Sequence, residues 1–85
     1  MKIYVTFGQV HVHRYDGNTF DKDCVGAIEA PSYEEGRDKL FEIFKGIFCF
    51  TYDEKEFEKL DCMDYYPRGI IPIKWAKLAQ ETDND

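Results

Sequence analysis

The residues with the most chemical potential stand together near the N-terminus, in Gly8-Gln9-Val10-His11-Val12-His13-Arg14-Tyr15. On a strand, side chains two apart point to the same side. His11 and His13 would then present two imidazoles together, roughly 7 Å apart at their Cα atoms. Two such nitrogens can supply part of the shell of Zn²⁺, Mn²⁺ or Ni²⁺. Alternatively, one imidazole takes a proton and the other gives one, as phosphodiester cleavage requires. A metal needs a third ligand; Asp16, Asp21, Asp23 and Cys24 are nearest, and none is fixed by spacing. Arg14 points away from the histidines on a regular strand and joins them only where a bulge or turn begins. The plainer alternative leaves both histidines on the solvated face of a hairpin.

A second concentration of recognition chemistry is Tyr65-Tyr66-Pro67-Arg68-Gly69, two rings and a cation on a loop. Tyr and Arg are enriched at binding hot spots, and such a loop can stack a base. Gln9, His11, His13, Arg14, Tyr66 and Arg68 are therefore the candidate ligand-binding set, for a metal or a nucleotide-like ligand. The plainer reading of the loop is a turn with Tyr65 capping the core. No cofactor is expected beyond that divalent metal. Lys22 lies between Asp21 and Asp23, which hold its charge and make it a poor nucleophile. Cys24 has no activating base beside it in sequence and reads as a structural thiol. Cys24, Cys49 and Cys62 are odd in number and form no CxxC, so zinc-knuckle and thioredoxin-type motifs are absent. An odd count suits reduced thiols in a cytoplasm. No phosphate loop, HExxH, GxSxG or EF-hand pattern occurs.

Charge narrows the partners. Seventeen acids against eleven bases leave a net charge of −6. Non-specific nucleic-acid binding needs clustered Lys and Arg, so direct binding to DNA or RNA is not expected. The same charge suits a basic protein partner. Glu54, Glu56, Glu58, Asp61 and Asp64 are the candidate partner-binding residues, on and after the second predicted helix. The plainer reading is a solvated helix face.

The elements that must position these residues follow from periodicity and turn chemistry. Lys2 to Phe7, Val10 to Tyr15 and Cys24 to Ala30 read as strands, with Asp16-Gly17-Asn18 as a turn. Ser32 opens a helix over about 32–45, with Glu35 completing a capping box and Gly46 as its left-handed stop. Tyr33, Leu40, Phe41, Phe44 and Phe48 recur at helical spacing. Ile47 to Tyr52 is apolar on both faces and reads as a central strand, with Cys49 in the core. Asp53-Glu54-Lys55-Glu56 is a second capping box, opening a short helix through Leu60. Ile70 to Ile73 fits only a sheet edge, because Pro72 donates no ladder hydrogen bond. Lys74 to Gln80 reads as a last helical turn carrying Trp75 and Leu78. The order β-β-β-α-β-α-β gives one α+β domain over residues 1–79, with a flexible polar tail over 80–85. One main helix packs on one face of a small, mostly antiparallel sheet, and the other face stays partly open. Fourteen aromatic residues in 85 argue against disorder. The apolar runs are too short for a membrane span. No basic, apolar leader precedes the first strand, so a cytoplasmic protein is expected.

Tyr4-Val5-Thr6-Phe7-Gly8-Gln9, followed by His11-Val12-His13-Arg14, resembles the start of small uncharacterised proteins of bacteriophages and prophages. The resemblance extends through a Glu-rich helix and an aromatic strand to about Phe57. It carries no assigned activity. It implies phage infection of a bacterium as the setting, and a small accessory protein that binds and inhibits a basic, nucleic-acid-binding host or defence protein. The alternatives are the HxH-centred ligand site and a dimerising structural or assembly protein, and a homodimer is compatible with either.

Overall fold

In the computed structural model, residues 1–74 are described. Strand β1 (Lys2–Thr6) alternates as its sequence demands: Ile3 and Val5 are fully buried on one face. Tyr4 points to the other. β1 pairs antiparallel with β4 (Cys24–Glu29) on one side and with β5 (Phe50–Asp53) on the other. β6 (Gly69–Ile73) adds to β4 in parallel, giving the sheet order β5-β1-β4-β6. β6 is an edge strand, as Pro72 requires. Helix α1 (Tyr33–Phe44) packs on the Ile3–Val5 face, so the α+β class and the mostly antiparallel sheet stand.

The start and stop of α1 follow local chemistry. The Ser32 hydroxyl accepts from the Glu35 N–H at 3.1 Å, satisfying one orphan donor of the first turn. Lys45 (φ 58°) and Gly46 (φ 74°) both turn left-handed and end the helix. Gly36, Leu40 and Phe44 form the buried stripe at four-residue spacing. Phe44 meets Phe7 and Phe20 edge-on, with ring centroids 5.1 and 5.5 Å away, and all three rings are buried.

Three sequence expectations are corrected. The second strand does not run from Val10: the chain turns through Gly8–Val10, with Gly8 at φ 69°, and β2 covers only His13–Tyr15. It pairs with β3 (Asn18–Phe20), a strand too short for its period to show, through a two-residue turn with Asp16 and Gly17 both at positive φ. Finally, the Ile47–Tyr52 segment is not a central strand. The left-handed residues at 45 and 46 keep the chain turning, and the Ile47 N–H bonds back to the Phe44 carbonyl at 2.9 Å. Only Phe50–Asp53 enters the sheet, at its edge. Cys49 is consequently exposed and not a core residue.

That edge is closed by side chains. The Tyr33 hydroxyl donates to the Thr51 carbonyl at 3.3 Å, and the Asp53 N–H to the Glu56 carboxylate at 3.0 Å. Helix α2 (Glu54–Leu60) follows with a complete capping box between Asp53 and Glu56. Its Phe57 stacks on Tyr4 at 4.3 Å between centroids, so the second sheet face is partly covered. A 3-10 turn, η1 (Met63–Tyr65), leads to β6. Among the described residues no helix is long and apolar enough to cross a membrane. The expected final turn with Trp75 and Leu78, and the tail over 80–85, lie outside the described residues.

Candidate functional site

Of the two histidines, only His13 lies in a strand. His13 begins β2, and its Nε2 lies 2.6 Å from the Ile47 carbonyl. A carbonyl only accepts, so Nε2 carries the hydrogen. The His13 ring also packs 4.9 Å from Phe44 and 5.9 Å from Phe7, centroid to centroid. This imidazole ties the β2 hairpin to the 46–49 loop. His11 lies ahead of β2 in no strand, so the expected two-imidazole strand face is not formed. Arg14 is exposed, opposite Thr19 in the hairpin. Among the described residues no three His, Cys, Asp or Glu side chains converge as a metal shell would require.

The Tyr66–Arg68 loop is likewise built into the scaffold. Arg68 Nη1 pairs with the Asp21 carboxylate at 3.1 Å, and the Arg68 N–H donates to the Asp23 carbonyl at 2.9 Å. These bonds dock the approach to β6 on the loop that precedes β4. Burial pushes the Tyr66 phenol above its ordinary range, against the hydrogen bond it makes with Thr6. Of the six candidate ligand residues, Gln9 and Tyr66 come together. They line a cleft of about 280 Å³ with Gly8, Lys22 and Tyr65. Lys22 is held 3.0 Å from Asp23, as its sequence neighbours predict. Cys24 is fully buried, and burial pushes its thiol up, which suits a structural role.

The candidate partner-binding residues present a different picture. Glu54, Glu56, Glu58, Asp61 and Asp64 are all exposed. Glu56 serves the capping box, and Glu54 accepts from the Lys2 N–H at 3.4 Å. None of the five enters an ion pair among the described residues. Phe57 is the one buried side chain of α2, so the rest of the helix faces outward. Asp61 takes a left-handed conformation (φ 45°) and turns the chain into η1. Leu60, Met63 and Tyr65 are exposed along the same stretch, Tyr65 at 77%. Their part was not visible from charge spacing; the apolar Leu60 read simply as the last residue of a helix.

No family model, curated protein or solved structure matches the chain.

Proposed function

We propose that this protein acts by binding and not by catalysis, docking its α2–η1 surface on a basic, nucleic-acid-binding protein and blocking it. In the infection setting that the N-terminal resemblance implies, the partner is a host or defence protein. One observation carries the reading: five carboxylates stand exposed along a single short stretch and enter no ion pair among the described residues, interleaved with exposed Leu60, Met63 and Tyr65. Unpaired charge steers a complementary partner, and exposed aromatic and apolar side chains supply the desolvated contact that holds it. His13, by contrast, is held within the scaffold by the Ile47 carbonyl and the Phe7 and Phe44 rings.

The test must spare the helix. Asp53 and Glu56 hold the capping box, and Glu54 sits at the positive end of α2, so reversing those charges would unfold the surface as well as recharge it. Glu58→Lys with Asp64→Lys avoids both. The tagged full chain is purified gently from its bacterial host at low and at high salt. Affinity for whatever basic protein co-elutes is then measured for wild type and for the double variant. The expected result is a loss of about tenfold or more, with a shallower salt dependence. Equal affinity of the double variant refutes the proposal.

A further inference from the structure

We infer that Cys49 and Cys62 form a reversible disulfide, a thiol redox site that clamps the end of α2 to the loop ahead of β5. The inference goes beyond partner binding and uses none of the five acids. Cys24 is buried, Cys49 is exposed, Cys62 is half-buried, and all three are free thiols in this structure. The odd count thus resolves into one core thiol and two that a reagent can reach.

The fold brings those two to one place. Lys2, Tyr4 and Thr6 alternate along β1, and the chain after β5 steps along them in order. Glu54 accepts from the Lys2 N–H, Phe57 stacks on Tyr4, and Tyr66 hydrogen-bonds the Thr6 side chain. Cys62 stands between Phe57 and Tyr66 in sequence, just past the end of α2, and so reaches the Thr6 end of the strand. Cys49 arrives at the same end from the other direction. Its N–H donates to the Thr6 carbonyl at 2.7 Å, and a Cβ placed on Gly8 would stand 3.6 Å from the Cys49 Cβ and 3.8 Å from its Sγ. Thr6 therefore anchors both approaches, one through its carbonyl and the other through its hydroxyl.

Two phenols report the same neighbourhood. Burial raises the Tyr52 phenol first, and negative charge on Cys49 and Cys62 raises it further. Tyr66 is raised by burial, then by Cys62, Tyr52 and Cys49. Coulomb effects fall with distance and are screened beyond about 10 Å at 0.1 M salt, so thiols felt by both rings lie close to both.

The exchange balances with a low-molecular-weight disulfide as oxidant. The Cys49 thiol gives its proton to solvent, and the thiolate attacks one sulfur of the reagent. The reagent's S–S bond breaks, a mixed disulfide forms on Cys49, and one thiolate leaves. The Cys62 thiolate then attacks the Cys49 sulfur and expels the second. Both leaving groups take up protons, so the protein loses two electrons and the reagent becomes two thiols. The new bond closes a loop through β5 and α2 that the native chain already holds shut, so folding favours it. In a reducing compartment such a bond is transient and acts as a sensor.

Glutathione redox buffers of graded ratio test this on the full chain, native and in urea. Free thiols are then blocked, and intact mass with peptide mapping reads the products. The expected native product is about 2 Da lighter, linked between Cys49 and Cys62, with Cys24 still free. Its effective thiol concentration should be at least about tenfold higher in the native chain than in urea. Cys49→Ser, at an exposed position, should end with glutathione on Cys62 and no internal bond. Equal effective concentrations in the two states overturn the inference. So does a native chain carrying separate glutathiones on Cys49 and Cys62, or an internal bond that survives Cys49→Ser, which would make Cys24 the partner.

Discussion

His13 shows how a residue suited to catalysis is absorbed by a scaffold. Its Nε2–H reaches a backbone carbonyl and its ring fills the space between Phe7 and Phe44. His13→Ala removes a hydrogen bond worth about 1 kcal/mol and leaves a gap beside the core, for a total loss of about 2–3 kcal/mol. His11→Ala, outside any strand, should change stability by no more than about 0.5 kcal/mol. Urea unfolding of the two variants separates them; equal losses would refute the assignment. Cys24 supports a pH prediction of the same kind. Burial raises its thiol above the 9.0 of a free cysteine in the native state alone. Well below pH 9.0 both states hold the proton and stability is insensitive to this group. Above it the unfolded chain releases the proton first, so stability falls as pH rises, until the native thiol also titrates. The urea midpoint should therefore decline between about pH 9 and pH 10 in wild type, and decline less in Cys24→Ala, before the tyrosines contribute.

Gly36 carries the prediction at the scale of elements. By propensity alone its replacement with Ala should strengthen α1 by up to about 1 kcal/mol. Packing reverses the sign. A Cβ at Gly36 would stand 2.5 Å from Ile3 Cδ1, 3.1 Å from Ile3 Cγ1 and 3.2 Å from the Ala30 Cβ. Ile3 is fully buried within the core cluster, so moving its side chain disturbs packed neighbours. Gly36→Ala should thus destabilise by about 1–3 kcal/mol, the usual cost of overpacking, and a thermal melt that rises instead would show that α1 can shift outward. The same contrast explains what was legible in the sequence. Both capping residues, the long amphipathic helix, the alternation of β1 and the edge position enforced by Pro72 are local signals, and the structure has them. The place of β5 in the sheet is not local. Ile47–Tyr52 is apolar on both sides, as a central strand would be, yet the surplus apolar side chains face solvent. The strand expected to carry both histidines is shorter for a related reason: alternation in Val10-His11-Val12-His13 mimics a strand, but the chain turns at Gly8, with positive φ, and the ladder begins only at His13. The exposure of the five acids was legible from residue type alone, because a carboxylate is costly to bury.

At the scale of the molecule, a contact steered by charge should answer salt in one direction. The α2–η1 surface concentrates exposed carboxylates that enter no ion pair among the described residues, so screening weakens what it holds. A partner that binds only native chains also raises Tm, by mass action. The melt of wild type with its partner should therefore stand above that of the free chain at low salt, and the difference should shrink as salt is added. Glu58→Lys with Asp64→Lys should lose most of that difference while the free chain melts as before. A partner-induced rise in Tm that added salt leaves unchanged would mean that apolar contact, and not charge, holds the complex.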